Sequence, residues 1–222
     1  MPLLDHALLM LAAVLGLLFI ITHRKQFTSS TRYASINSYH LMAFGALSAS
    51  TLLLGLFGWD ILGFMGDGTE NKLVAVVASA IPFAWATGMI AHRYPKYEKL
   101  YLGVMSLALL LITVTRFAEM KTLGRIIYPV AHSFAGITVI GVPIIAVLKQ
   151  KMPTSFLLVS LSGFLISAGG MSMAFLIAGR QLLFMSQDVL FTLMAPLLLV
   201  TILLYAVGLT GGFKTAFFKT KS

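Results

Sequence analysis

The chain has 222 residues, of which 59% are hydrophobic and 10% charged, with a mean hydropathy of +0.94; soluble domains carry about 25% charged residues, so this composition excludes a water-soluble globular protein. The formal net charge of +9 does not indicate a nucleic-acid partner, because the basic residues lie in short patches between apolar runs. The absence of cysteine excludes disulfides, thiolate catalysis and cysteine-ligated metal centres within the chain.

Seven apolar runs follow one another, each close to the roughly 20 residues that a helix needs to cross a bilayer. They cover residues 3–21, 39–58, 73–91, 100–117, 126–148, 154–178 and 188–208. The connections are short, so neighbouring helices are expected to run antiparallel. The sequence therefore predicts an all-α, polytopic integral membrane protein: one transmembrane domain over residues 1–222, built as a seven-transmembrane-helix bundle.

The positive charges between the runs predict the orientation of the bundle. Eleven of the sixteen Lys and Arg residues lie in the loops 22–38, 92–99 and 149–153 and in the C-terminal tail, and the other five lie on the opposite side. Six of the seven acidic residues also fall on that opposite side. The N-terminus is therefore expected outside and the C-terminus in the cytoplasm, in a prokaryotic cytoplasmic membrane.

The apolar runs also exclude some classes of membrane protein. The seventh run contains no lysine, which excludes a retinal Schiff base and hence a microbial rhodopsin, a class with the same outline. No carboxylate or lysine lies near the middle of any run, and ion-coupled transporters use such groups. A facilitator or channel built from hydroxyl and backbone groups remains an alternative, with its path along the helices that contain Pro82, Pro143 and Pro196.

The candidate cofactor ligands are histidines. They are His6, His23, His40, His92 and His132. A b-type haem in a helix bundle needs two imidazoles at similar depth on different helices, and electron transfer across a membrane needs a haem near each face. In the predicted orientation His6 and His132 would form an outer haem site. His40 and His92 would form an inner site.

A structural role for each histidine is the alternative interpretation. His23 and His92 lie in basic junctions, where an imidazole can contact lipid headgroups. His6 is close to the N-terminus and can face water. The remaining two, His40 and His132, can each bond a neighbouring helix.

Three of these histidines lie in short segments of one type. The segments are Asp5-His-Ala-Leu-Leu-Met10 with Gly16 later in the helix, His40-Leu-Met-Ala-Phe-Gly45, and Ala131-His-Ser-Phe-Ala-Gly136. They resemble the ligand-bearing helices of the cytochrome b-561 family, which are di-haem transmembrane cytochromes. The resemblance implies that His6, His40 and His132 ligate haem. That family carries its ligands on four consecutive helices, whereas here the third helix has its histidine, His92, at the inner boundary.

Charged residues of both signs cluster at the predicted outer face. Arg116, Glu119, Lys121 and Arg125 bracket one outer connection, and Arg180 and Asp188 bracket another. Exposed ion pairs stabilise a protein little. Besides pairing between loops, the clustering therefore predicts that other membrane subunits dock near Arg116, Glu119, Arg180 and Asp188.

Together these features predict a membrane subunit of a redox or respiratory system that binds b-type haem and passes electrons across the bilayer. Two alternatives belong to other classes: a small-solute facilitator or channel, and a non-catalytic or assembly subunit of a larger membrane complex. The sequence has no nucleophile elbow, no phosphate-binding glycine loop and no HExxH pair, so it assigns no reaction. The predicted partners are the lipid bilayer and membrane subunits, not nucleic acid.

Overall fold

The computed structural model describes residues 1–27, 36–63, 72–177, 181 and 185–218, and within these ranges the fold is built from helices. The long helices, in chain order, are α1 (Leu3–His23), α2 (Ser38–Phe57), α3 (Lys72–Arg93), α4 (Glu98–Phe117), α5 (Lys121–Leu148), α6 (Leu157–Ile177) and α7 (Gln187–Thr210). A five-residue helix, α8 (Phe213–Phe217), follows α7, and short 3-10 turns precede or follow several of the long helices.

Seven helices within the described ranges are long and apolar enough to cross a membrane. This finding confirms the predicted number of spans and the all-α, integral membrane class. The predicted and observed helix ends agree within a few residues, and the largest difference is at α5, which begins at Lys121 instead of near residue 126. Hydropathy locates the part of a helix that suits hydrocarbon, whereas backbone hydrogen bonding continues through the polar first turn of α5.

Six helices form a closed ring in the order α1, α2, α3, α5, α6, α7, with α7 packing back against α1. Helix α4 packs against α3 and α5, which also contact each other, so α4 lies outside the ring. Successive helices alternate in direction, which gives the bundle two ends. We call the end where α1, α3, α5 and α7 finish the His40 end, and the opposite end the His6 end.

Glycine allows the closest approaches between neighbouring helices. A β-carbon added at Gly163 of α6 would lie 2.6 Å from Cγ1 of Val139 in α5. One added at Gly208 of α7 would lie 2.8 Å from the backbone nitrogen of Val159, close to the start of α6. Both separations are shorter than van der Waals contact, so the observed helix spacing depends on the missing side chain at these positions.

Large aromatic side chains fill the interior of the ring towards the His40 end. Phe19, Phe44, Trp85 and Tyr205 are all completely buried. Tyr205 stacks on Trp85 and Phe44 stacks on Phe19, with 4.1 Å between the ring centroids in each pair. Aromatic pairs contribute about 0.5–1.5 kcal/mol beyond the burial of their area, so this column of rings holds α1, α2, α3 and α7 together.

Candidate cofactor site at the His40 end

The start of α2 positions His40. The side-chain oxygen of Asn37, the N-cap residue, accepts a hydrogen bond from the backbone N–H of His40, and the backbone N–H of Asn37 donates to Nδ1 of His40, both at 3.4 Å. This reciprocal pair is a capping box in which histidine stands where glutamate or glutamine is usual. The amide nitrogen of Asn37 also donates to the Gly88 carbonyl at 2.9 Å, which joins α2 to α3.

The capping contact determines which nitrogen of His40 carries the proton. A backbone N–H can only donate, so Nδ1 accepts and the proton of the neutral ring lies on Nε2. The His40 side chain is completely buried, and Nε2 has no hydrogen-bond partner among the described residues. An unpaired buried donor costs about 1–3 kcal/mol. A buried polar atom of this kind is a candidate for binding a ligand.

Helix α3 brings a second imidazole to His40. Gly88 lets the His40 ring lie directly against the α3 backbone, because a β-carbon there would lie 2.7 Å from Cε1 and Nε2 of that ring. His92 lies one turn beyond Gly88 on α3, so it is on the same face of the helix that the His40 ring contacts. His40 is the third residue of α2 and His92 is the second-last residue of α3. The two predicted inner ligands therefore lie together, at similar height, at the His40 end.

The His40 ring adjoins a group of aromatic rings through Tyr205, and we call His40, Phe44, Trp85 and Tyr205 the His40 cluster. The ring centroid of Tyr205 lies 5.9 Å from the centroids of both His40 and Phe44. Within the described residues, the indole nitrogen of Trp85 and the hydroxyl of Tyr205 are buried without a hydrogen-bond partner. The cluster thus brings several unpaired polar atoms into one apolar core.

The sequence predicted His40 as a cofactor ligand but did not connect it with the other polar groups of this core. Ser48 lies two turns after His40 on α2, and Thr201 lies one turn before Tyr205 on α7. The part of the chain that the structure describes contains no hydrogen-bond partner for either hydroxyl. The four-residue spacing is visible in the sequence and predicts a shared helix face, but it does not reveal that α2 and α7 face each other.

His6 and His23 lie at opposite ends of α1, and each places Nδ1 next to a carbonyl oxygen. Nδ1 of His6 lies 2.7 Å from the Gly55 oxygen of α2, and Nδ1 of His23 lies 2.9 Å from the Phe19 oxygen of its own helix. A carbonyl can only accept, so Nδ1 carries the proton and Nε2 keeps its lone pair. His6 therefore has the tautomer that metal-ligating histidines commonly use.

His132 lies deeper along its helix than His6 does. It is the twelfth of the 28 residues of α5, whereas His6 is the fourth residue of α1. At about 1.5 Å per residue, their depths differ by roughly 12 Å when measured from the helix starts. The His132 ring stacks on Tyr128 at 4.3 Å and contacts Phe83 of α3 at 5.7 Å.

The hydrogen bonding of His132 is weaker than that of His6. No hydrogen bond connects its Nδ1 with any described residue. His6 contacts α2, while His132 contacts α3 and its own helix. These contacts do not bring His6 and His132 together. The outer haem site formed by the two histidines therefore stays a prediction.

Two of the residues predicted to dock partner subunits already have contacts within the chain. The Arg116 guanidinium lies 5.5 Å from the centroid of a tyrosine ring of α5, and Glu119 accepts a hydrogen bond from Lys72 at 2.6 Å. Asp188 lies in the first turn of α7, where its charge suits the helix dipole, and Arg180 lies outside the described residues. Pairing between loops is thus observed for Lys72 and Glu119, and docking stays a prediction.

We expect the Lys72–Glu119 pair to contribute little to stability. The bond from Lys72 lowers the pKa of Glu119 below its ordinary value, so any stabilisation is present above that ordinary pKa and is lost as the pH falls through the lowered one. Glu119 also has a left-handed backbone with φ of 56°, which favours glycine. Glu119→Gly should therefore leave the unfolding midpoint at pH 7 unchanged or raise it, because it relieves this strain, whereas Glu119→Gln should lower it slightly. A clearly lower midpoint for Glu119→Gly than for Glu119→Gln would contradict this.

Comparisons of the chain with models of known protein families, with curated proteins and with solved structures find no match. The cytochrome b-561 resemblance is therefore carried by the three short segments alone. The assignment of a function depends on the chemistry of the His40 cluster and His92.

Proposed function

We propose that the protein is a membrane subunit of a redox or respiratory system and that its cofactor binds at the His40 end. One observation carries the proposal. Nε2 of His40 is completely buried and has no hydrogen-bond partner among the described residues, and its ring lies against Gly88 of α3, one turn before a second imidazole, His92. Two imidazoles from different helices at one height are what a b-type haem requires.

The residues fit the donor set of a b-type haem, with one condition on His40. His40 and His92 would hold the group. A ligating imidazole coordinates through one nitrogen and donates from the other, so ligation through Nε2 requires Nδ1 to give up the Asn37 N–H. That contact measures 3.4 Å, compared with about 2.9 Å for a full-strength bond. Its loss would leave the buried Asn37 N–H unpaired, which costs about 1–3 kcal/mol, so haem ligation has to offset that cost.

The remaining residues of the His40 cluster would control the surroundings of the cofactor. Haem supplies the ability to accept and release one electron. The buried rings of Phe44 and Trp85 exclude water, and a dry, apolar surrounding favours the state of the site that carries less charge. Tyr205, whose ring adjoins that of His40, would donate from its O–H to a polar acceptor there, and Trp85, stacked on Tyr205, would offer its N–H.

The proposal includes an orientation and a location. With the N-terminus outside and the C-terminus in the cytoplasm, the His40 end faces the cytoplasm of a prokaryotic cell, and the excess of Lys and Arg at that end supports this orientation. His6 and His132 would serve a second haem nearer the outer face, so that electrons cross the bilayer. Partner subunits would then dock at the outer face near Arg116, Glu119, Arg180 and Asp188.

The absorption spectrum of the protein purified from haem-replete membranes tests the proposal. We expect a Soret band and, after reduction, an α band typical of low-spin haem with two imidazole ligands. A colourless protein from such membranes would contradict haem binding. Solute flux through liposomes that contain the colourless protein would then support the facilitator, and co-purifying membrane subunits without flux would support the accessory subunit.

A further inference from the structure

A groove runs along the outside of the bundle where α4 lies against α3 and α5. The cavity has a volume of about 470 Å³. Its lining side chains are mostly apolar, and Leu100, Val104 and Phe134 are exposed on the outer surface of their helices. The hydroxyl of Tyr101 donates to Thr138 at 2.8 Å, which ties α4 to α5 across the groove. In a membrane-spanning bundle, an exposed apolar groove of this kind faces lipid chains.

A smaller, basic cavity adjoins the groove at the His40 end. It has a volume of about 130 Å³ and is lined by Arg93 of α3 and by Lys149 and Lys151 just after α5. Tyr94 lines both cavities, so the basic cavity and the apolar groove adjoin at this residue. The ammonium of Lys96, in the connection between α3 and α4, lies 4.7 Å from the centroid of the Tyr97 ring, which lines the groove.

The end of α5 is shaped so that both lysines reach the basic cavity. Gln150 has a left-handed backbone with φ of 52°, and the N–H of Lys151 donates to the Ala146 carbonyl at 3.0 Å. This turn wraps the chain around the end of the helix, so that Lys149 and Lys151 line the same cavity. The segment from 149 to 156 contains no acidic residue. Glu98, the first residue of α4, is buried and accepts a hydrogen bond from Tyr39.

We propose that this composite cavity binds an anionic phospholipid as a specific ligand. The phosphodiester lies among Arg93, Lys149 and Lys151, and one acyl chain occupies the groove beside α4. Basic cavities between membrane helices on the cytoplasmic side bind anionic headgroups because each cation there attracts the phosphate. Arginine and lysine both donate to phosphate oxygens.

The charge of the basic cavity favours a phospholipid over other amphiphiles. An isoprenoid quinone also has an apolar tail, but its head is neutral and makes no use of three cations. Free phosphate would bind the cations, but it has no apolar part that could occupy the groove. The adjacency of the two cavities at Tyr94 suits a molecule with an anionic head joined to an apolar chain.

Native mass spectrometry of the full-length protein tests this site. The protein is released from nanodiscs of phosphatidylcholine mixed with phosphatidylglycerol, and the bound lipids are counted. We expect phosphatidylglycerol to be enriched on the wild-type protein. In the Arg93→Gln/Lys149→Gln protein the preference for phosphatidylglycerol should be about 25-fold lower, since each cation near an anionic headgroup contributes roughly 1 kcal/mol. The control pair Lys121→Gln/Lys214→Gln removes the same charge elsewhere and should retain the enrichment.

Two further measurements separate lipid from other occupants. Val104→Trp fills the groove and should lower phosphatidylglycerol binding, while Val130→Trp, at an exposed apolar position of α5, should not. Inorganic phosphate at millimolar concentration should fail to displace the lipid. Equal enrichment in all variants would show non-specific attraction of anionic lipid and would overturn the proposal. Displacement by phosphate, or retention of an added quinone in place of phospholipid, would overturn it too.

Discussion

The His40→Gln protein is expected to lose the haem of the His40 end while it keeps its fold. Glutamine is the usual residue at this position of a capping box, so its side chain can still accept from the Asn37 N–H and the start of α2 is preserved. It has no imidazole to ligate iron. The Soret and α bands of the purified protein, measured per mole of chain, should therefore fall relative to the wild-type protein.

His23→Gln is the matched control for this prediction. His23 is also buried at the His40 end, and its Nδ1 donates to the Phe19 carbonyl, but it lies outside the His40 cluster. The control should keep the wild-type bands. Far-ultraviolet circular dichroism and gel filtration show whether each variant is folded. Unchanged bands in a well-folded His40→Gln protein would remove His40 from the ligand set, and equal losses in both variants would indicate a general effect on folding.

The Gly208→Ala protein is expected to be strongly destabilised, because the new methyl group meets backbone as well as side chain. The added β-carbon would lie 2.8 Å from both the backbone nitrogen and Cγ2 of Val159. A flexible side chain could move aside, but a backbone atom held next to the start of α6 cannot. Overpacking of this kind costs about 1–3 kcal/mol, and the backbone contact should place the loss at the upper end. Reversible unfolding in mixed detergent micelles measures the change in unfolding free energy.

Gly103→Ala provides the control, since it makes the same change on a helix face with open space. No atom lies within 4 Å of a β-carbon at Gly103, and alanine favours the helix, so its unfolding free energy should be unchanged or higher. Val159→Ala combined with Gly208→Ala should recover part of the loss, because it removes Cγ2 but not the backbone nitrogen. Full recovery would mean that only the side chains conflict. Equal stability of the Gly208→Ala and wild-type proteins would mean that α6 and α7 are less closely packed than described.

Much of the candidate cofactor site lay beyond what a single sequence reveals. His40 was predicted from its residue type and depth, and so was its pairing with His92, because both follow from counting residues along apolar runs. The contribution of Trp85 and Tyr205 to the site was not predicted, because an aromatic residue in an apolar helix ordinarily only packs in the hydrophobic core. Their importance lies in their polar atoms, which have no hydrogen-bond partner within the described part of the chain and lie where rings of α2, α3 and α7 meet.

The sequence by itself determined the class of the protein: seven helices, their approximate ends and their alternating direction. These properties are local, because a run of about 20 apolar residues must form a helix to satisfy its backbone in lipid. Only the tertiary structure decided which helices are neighbours: it placed α4 outside the ring and set His40 against Gly88 beside His92. Those contacts depend on packing between segments distant in the chain, which hydropathy does not encode.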